Sequence, residues 1–129
     1  MSRHILAAGL IISVAYAAVH IAFADATLLT GAAPLRLSVR NYLGDVLGSG
    51  MVWGIFSYLM GKEFPGRWLK ALLAGTGIIV MMLAVHYTLL VVFGMYNWRE
   101  AFEYNAQWFF LALISGPVLG LAGAASARF

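Results

Sequence analysis

Four long runs of this chain contain no aspartate, glutamate, lysine or arginine, and this pattern constrains the fold more than any other feature. The runs cover residues 5–24, 46–61, 71–98 and 104–127. A transmembrane helix needs about 20 consecutive, mostly apolar residues, so the first, third and fourth runs qualify directly. The second qualifies only if its helix begins near Asn41, which places Asp45 within the membrane zone. We therefore predict four transmembrane helices, at about 5–27, 41–61, 71–94 and 98–126.

The composition agrees with a polytopic membrane protein. Hydrophobic residues make up 63% of the chain and charged residues 10%, whereas a soluble domain has about 25% charged residues. The apolar residues follow the spacing of helices and not the alternation of barrel strands. The four spans leave too little chain for a separate soluble domain. We therefore predict that residues 1–129 form one all-α domain, a four-transmembrane-helix bundle in a lipid bilayer.

The positions of lysine and arginine predict the orientation of the bundle. The N-terminus, the 62–70 loop and the C-terminus contain Arg3, Lys62, Arg67, Lys70 and Arg128. The other two connections contain Arg36, Arg40 and Arg99. Because cytoplasmic loops have the excess of basic residues, five against three predicts an N-in/C-in protein of the cell membrane, with a bacterial inner membrane favoured. The basic residues form no patch, so we predict no nucleic-acid partner.

Local signals mark several helix boundaries. Pro34 allows two structures for residues 35–40, an extended segment on the membrane surface or the first turns of the second helix. The Pro-Gly pair at 65–66 predicts a tight turn between the second and third helices. Asn97 followed by Glu100 predicts a capping box at the start of the last helix.

Two histidines fall at matching depth within the charge-free runs. Along their helices, about 22 Å separate Ile5 from His20 and about 24 Å separate Lys70 from His86. In a hydrocarbon core about 30 Å thick, both histidines lie several ångströms below the outer boundary. Asp45 enters the same layer from the outer side. Since ionisable residues inside a bilayer indicate a functional site, we predict a site at this depth.

We predict that this layer is a polar pocket near the outer face. Besides the histidines and Asp45, its predicted lining comprises Tyr16, Ser49, Tyr87, Glu103 and Gln107. The inner halves of the helices contain hydroxyl side chains but no charged ones. Because an ion path needs polar groups along its whole length, the pattern in a single copy favours a pocket over a channel.

Several chemistries are compatible with such a pocket. His20, His86 and Asp45 form a two-histidine, one-carboxylate ligand set for a transition metal. Alternatively, the two histidines hold haem b between helices, with Arg36 and Arg40 pairing with its propionates. A proton or quinone site, completed by Asp45 and nearby tyrosines, is a third possibility. In the fourth, the histidines form hydrogen bonds that only hold the helices together.

The sequence contains no catalytic motif. It has no cysteine, which excludes disulfides and thiol chemistry, and no nucleotide-binding loop, zinc-protease motif or nucleophile elbow. Glycine pairs spaced four apart predict close helix packing or partner contacts, at 44/48, 50/54 and 116/120. We therefore predict a non-catalytic subunit or interaction protein of a larger or homo-oligomeric membrane assembly. The alternatives are a haem- or metal-binding electron-transfer protein and a small oligomeric transporter or channel.

Overall fold

The computed structural model describes residues 1–22 and 34–128, except for the side chains of 34–37 and 40. About 85% of the described residues are helical, and none of them lies in a strand. The helices are α1 Ser2–Ala22, α2 Pro34–Leu47, α3 Gly50–Lys62, α4 Trp68–Val92, α5 Trp98–Glu103 and α6 Ala106–Ser126. The predicted all-α class is confirmed for this part of the chain.

Four helical segments are long and apolar enough to cross a membrane. They are Ser2–Ala22, Asn41–Lys62, Trp68–Val92 and Ala106–Ser126. Their number and order match the four predicted helices, although the predicted end of the first helix near residue 27 lies outside the described residues. Large apolar side chains are exposed on α1 and α6, among them Ile11, Phe110 and Ile114. Helices that are apolar on all faces suit a lipid environment.

Helix α4 is the centre of the bundle and packs against α1, α3, α5 and α6. Contacts of Gly9 with Met82 and of His20 with His86 show that α1 runs parallel to α4. Helices α3 and α6 run antiparallel to α4. We call the end where α3 and α6 finish and α4 begins the closed end. The end where α1 and α4 finish and α3 and α6 begin is the open end.

Glycines bring α3, α4 and α6 into close contact toward the closed end. A Cβ atom at Gly61 would overlap the backbone of Gly120, and one at Gly75 would lie 2.8 Å from the Gly116 carbonyl oxygen. The buried Ser57 hydroxyl donates a hydrogen bond of 2.9 Å to the same Gly116 carbonyl. Small residues allow helix backbones to approach in this way, so the predicted packing role of Gly116 and Gly120 is confirmed.

In each of the other two glycine pairs, only one glycine makes a close contact. A Cβ at Gly48 would lie 2.6 Å from the Tyr16 hydroxyl oxygen, and one at Gly54 would lie 3.0 Å from a methyl of Leu119. A Cβ at Gly44 or Gly50 would meet no described atom within 4 Å. The predicted close packing therefore holds for one member of each pair.

The second span is interrupted, where we predicted one continuous helix. Helix α2 ends at Leu47 and α3 begins at Gly50. The Trp53 indole N–H donates a hydrogen bond to the Leu47 carbonyl, and the Ser49 hydroxyl accepts one from the Val52 N–H at 3.3 Å. Glycine and serine are weak helix formers, and the backbone groups freed by a helix break need hydrogen-bond partners of this kind.

Two predicted boundary signals are confirmed. Helix α2 begins at Pro34, so residues 35–40 form its first turns and not an extended segment. The turn between α3 and α4 contains Gly66 with φ of +75°, a backbone conformation that glycine adopts without steric cost. This short turn makes α3 and α4 antiparallel neighbours.

The last predicted helix begins as expected but is divided in two. The Glu100 N–H donates to the Asn97 side chain at 2.9 Å, and the Asn97 N–H donates to the Glu100 carboxylate at 3.0 Å, so the capping box is confirmed. Helix α5 nevertheless ends at Glu103, and α6 begins only at Ala106. The Asn105 amide donates to backbone carbonyls of α5, and such side-chain bonds compete with continuation of the helix.

Candidate functional site

A cavity of about 440 Å³ lies between α3 and α6 toward the open end of the bundle. The glycine contacts that join these helices lie toward the closed end, and α4 and α1 form the other walls. We call this space the main cavity. Seven aromatic or imidazole rings line it, namely Tyr16, His20, Trp53, His86, Tyr87, Tyr96 and Trp108. Its branched aliphatic lining comprises Ile79, Leu83, Leu90, Leu111 and Leu119.

The two predicted histidines meet at this cavity. The ring centroids of His20 and His86 are 5.4 Å apart, with the rings at 65° to each other. The Tyr16 ring stacks on His86 at 4.2 Å and contacts His20 edge-on at 4.7 Å. The structure therefore places the two histidines side by side, with Tyr16 in contact with both.

The two histidines differ in burial and hydrogen bonding. Only 3% of the His86 surface is exposed, and its Nδ1 atom has no hydrogen-bond partner among the described residues. A buried polar atom left unpaired costs about 1–3 kcal/mol. His20 is only half-buried, and its Nδ1 lies 3.2 Å from the Tyr16 carbonyl oxygen. His86 therefore places a buried imidazole in the wall of the main cavity.

A second, smaller cavity of about 140 Å³ lies between α1 and α2, where Asp45 and Asn41 face Tyr16 and His20. Tyr16 and His20 line both cavities, whereas Asp45 lines only the smaller one. Among the described residues, no group of three or more His, Asp or Glu side chains is placed to hold a metal ion. The structure therefore does not bring His20, His86 and Asp45 together: Asp45 lines only the smaller cavity and His86 only the main one, while His20 lines both.

The other predicted pocket residues are divided. Tyr87 lines the main cavity. Ser49 caps α3 instead of lining either cavity. Glu103 forms an exposed ion pair with Arg99 at 2.8 Å, and Gln107 is exposed. Neither residue lines one of the two cavities. Glu103 belongs to α5, which is separate from α6. The face of α6 toward the main cavity contains Trp108 and Ala112 instead.

The predicted haem contacts of Arg36 and Arg40 fall where no side chains are described. Both residues belong to α2 by their backbone. The haem interpretation of His20 and His86 therefore stays a prediction.

Sequence reasoning missed several residues of the main cavity. Trp53, Tyr96, Asn105 and Trp108 all line it. The available signal was the Gly-Ser-Gly triplet at 48–50, since closely spaced glycines mark interrupted helices. An interruption at that point turns the start of α3 toward the cavity, where glycines 48, 50 and 54 form part of the wall.

The described lining of the main cavity contains no aspartate, glutamate, lysine or arginine. Its polar groups are imidazoles, hydroxyls, one amide, two indoles and the backbone at the start of two helices. No protein-family model, curated protein or solved structure matches this chain.

Proposed function

We propose that this chain is a small, non-catalytic integral membrane protein that binds a lipid-soluble molecule in the main cavity. The observation that supports this most is a cavity of about 440 Å³ whose wall includes the buried imidazole of His86. Ligand sites are typically clefts of about 300–1,000 Å³ with mostly apolar walls and a few converging polar groups. The main cavity has this size and this lining.

The position of the cavity favours binding over conduction. It lies toward the open end, while close backbone contacts such as Gly61 with Gly120 join the helices toward the closed end. In the proposed N-in/C-in orientation, the closed end faces the cytoplasm and the cavity opens near the outer face of a bacterial inner membrane. A role as a subunit of a larger or homo-oligomeric assembly is part of the proposal, with the cavity supplying a ligand to that assembly.

The absence of cysteine allows a direct test of orientation. Glu63→Cys places a thiol in the α3–α4 turn, and Tyr104→Cys places one at the α5–α6 junction; neither change alters the count of basic residues. In intact cells that express each variant, a membrane-impermeant maleimide should label Tyr104→Cys and should label Glu63→Cys only after permeabilisation. The reverse pattern would show that the proposed orientation is inverted.

Filling the cavity should abolish ligand binding. A Cβ at Gly50 or at Gly77 meets no described atom within 4 Å, but only Gly50 lines the main cavity. Gly50→Phe should therefore place a ring in the cavity with little strain, while Gly77→Phe places the same ring on the outer surface of α4. We expect Gly50→Phe to weaken binding at least about tenfold, which corresponds to about 1.4 kcal/mol, and Gly77→Phe to leave it unchanged.

Tryptophan fluorescence measures this binding directly. With Trp68 and Trp98 replaced by Phe, only Trp53 and Trp108 remain, and both line the cavity. Three lipid-soluble quenchers are titrated into protein in nanodiscs: a decyl-substituted benzoquinone, bromododecanoic acid and a brominated long-chain trimethylammonium. We expect at least one probe to quench the fluorescence saturably. This quenching should be lost in Gly50→Phe and kept in Gly77→Phe. Non-saturable quenching by all three, equal in both variants, would contradict the proposed function.

A further inference from the structure

We infer that the ligand of the main cavity is of the quinone class: a neutral planar ring that bears a carbonyl oxygen and has an apolar tail. This inference rests on the proposed function and specifies the chemistry of its ligand. It follows from three features of the cavity, which are the rings in its walls, the polar groups at its open end and the absence of charge from its described lining.

The walls of the cavity offer ring faces and edges around one buried imidazole. Tyr16 stacks on His86 with an interplanar angle of 13°. Trp53 meets His86 edge-on at 6.2 Å and 90°, and Tyr87 meets it at 5.0 Å and 71°. Aromatic rings pack favourably in offset-stacked and edge-to-face arrangements. A flat ring of the ligand therefore finds complementary partners here that a flexible acyl chain would use less well.

The polar groups of the cavity favour a hydrogen-bond acceptor on that ring. His86 lines the cavity, and its buried Nδ1 has no partner among the described residues. A neutral imidazole has one N–H group, and we assign the N–H of His86 as the donor to an acceptor on that ring. Helix α3, with 13 residues, begins at Gly50, and Asn105 is the N-cap of α6; both residues line the cavity. Helix N-termini have partial positive charge, so they favour the negative end of a carbonyl dipole.

The charge of the ligand head is constrained by the same lining. A carboxylate would be buried without lysine or arginine, and a quaternary ammonium without aspartate or glutamate, among the described lining residues. Burying an unpaired charge is costly, and the two helix N-termini add repulsion for a cation. A neutral carbonyl oxygen accepts the hydrogen bond and interacts favourably with the helix dipoles, and no unpaired charge is buried.

The aliphatic part of the cavity provides a path for the tail. Ile79, Leu83 and Leu119 line it. Leu111 also lines it and is 52% exposed, so the cavity is continuous with the apolar outer surface of α6 at this residue. A tail leaving past Leu111 reaches the lipid while the ring stays in the main cavity between α3 and α6.

The experiment compares the three quenchers described above and adds a substitution at the proposed donor. His86→Phe preserves a ring for Tyr16 to stack on but removes the nitrogen donor, and His4→Phe changes the exposed histidine of α1 as a matched control. We expect the benzoquinone to bind more tightly than the carboxylate or the ammonium probe. His86→Phe should weaken benzoquinone binding roughly tenfold, and His4→Phe should not change it.

Infrared difference spectroscopy with carbonyl-labelled benzoquinone reports the hydrogen bond itself. The carbonyl band of the bound quinone should lie at lower frequency than in lipid alone and should return toward the lipid value in His86→Phe. An unshifted band in the wild-type protein would overturn the inference even if the variant fails to fold. Tighter binding of the carboxylate or ammonium probe would also overturn it while leaving the proposed function intact; saturable binding of none of the three would overturn both.

Discussion

Gly61→Ala should destabilise the protein by about 1–3 kcal/mol, the usual cost of overpacking a close contact. The added Cβ would overlap the backbone of Gly120. A clash with backbone cannot be relieved by a side-chain rotation, so α3 and α6 must separate. Thermal unfolding in detergent, followed by circular dichroism, should show a clear decrease in Tm.

The matched control for this prediction is Gly77→Ala. Both glycines lie within helices, but a Cβ at Gly77 meets no described atom within 4 Å. Alanine is about 0.5–1 kcal/mol better than glycine in a helix interior, so Gly77→Ala should leave Tm unchanged or raise it. Equal effects of the two substitutions would show that the close approach of α3 and α6 is not important for stability.

Trp53→Ala should have the largest effect of any single truncation, about 3–5 kcal/mol. Trp53 is 7% exposed, contacts the Tyr16 and His86 rings, and donates its indole N–H to the Leu47 carbonyl at the helix interruption. Its removal leaves a cavity and an unpaired backbone oxygen together. Trp53→Phe keeps most of the ring packing. It should lower the free energy of unfolding by about 1–3 kcal/mol, because the Leu47 carbonyl loses its hydrogen bond.

Trp108→Ala is the matched control, because Trp108 lines the same cavity but is 48% exposed. A substitution at so exposed a position should change stability by only about 0.5 kcal/mol. Denaturant unfolding of the three tryptophan variants measures these differences. A loss for Trp53→Ala no greater than that for Trp108→Ala would mean that Trp53 does not hold the interrupted span in place.

The helices were predictable from the sequence because bilayer thickness relates helix length directly to hydropathy. The charge-free runs that contain His20 and His86 correspond to α1 and α4. The capping box at Asn97 and the Pro-Gly turn at 65–66 were also predictable, because each depends on residues within one turn of chain.

The candidate site was predictable only in part. Its depth followed from a constant rise per residue, so His20 and His86 were placed in one layer. The level of a residue along its helix does not specify which neighbouring helix or cavity its side chain faces. Asp45 therefore lines the smaller cavity, and Glu103 lies in an exposed ion pair with Arg99, although both have suitable depth. Trp53 was missed because its role depends on the interruption of the second span.

The sequence by itself determined the number, order and approximate length of the long apolar helices and the placement of the two histidines at one level of the bundle. These properties follow from local hydropathy and from the fixed geometry of a helix. Only the tertiary structure decided that α3 and α6 touch at Gly61 and Gly120, that they enclose the main cavity, and that His86 is buried in its wall. Those properties depend on how closely backbones distant in sequence can approach, and no local periodicity specifies that distance.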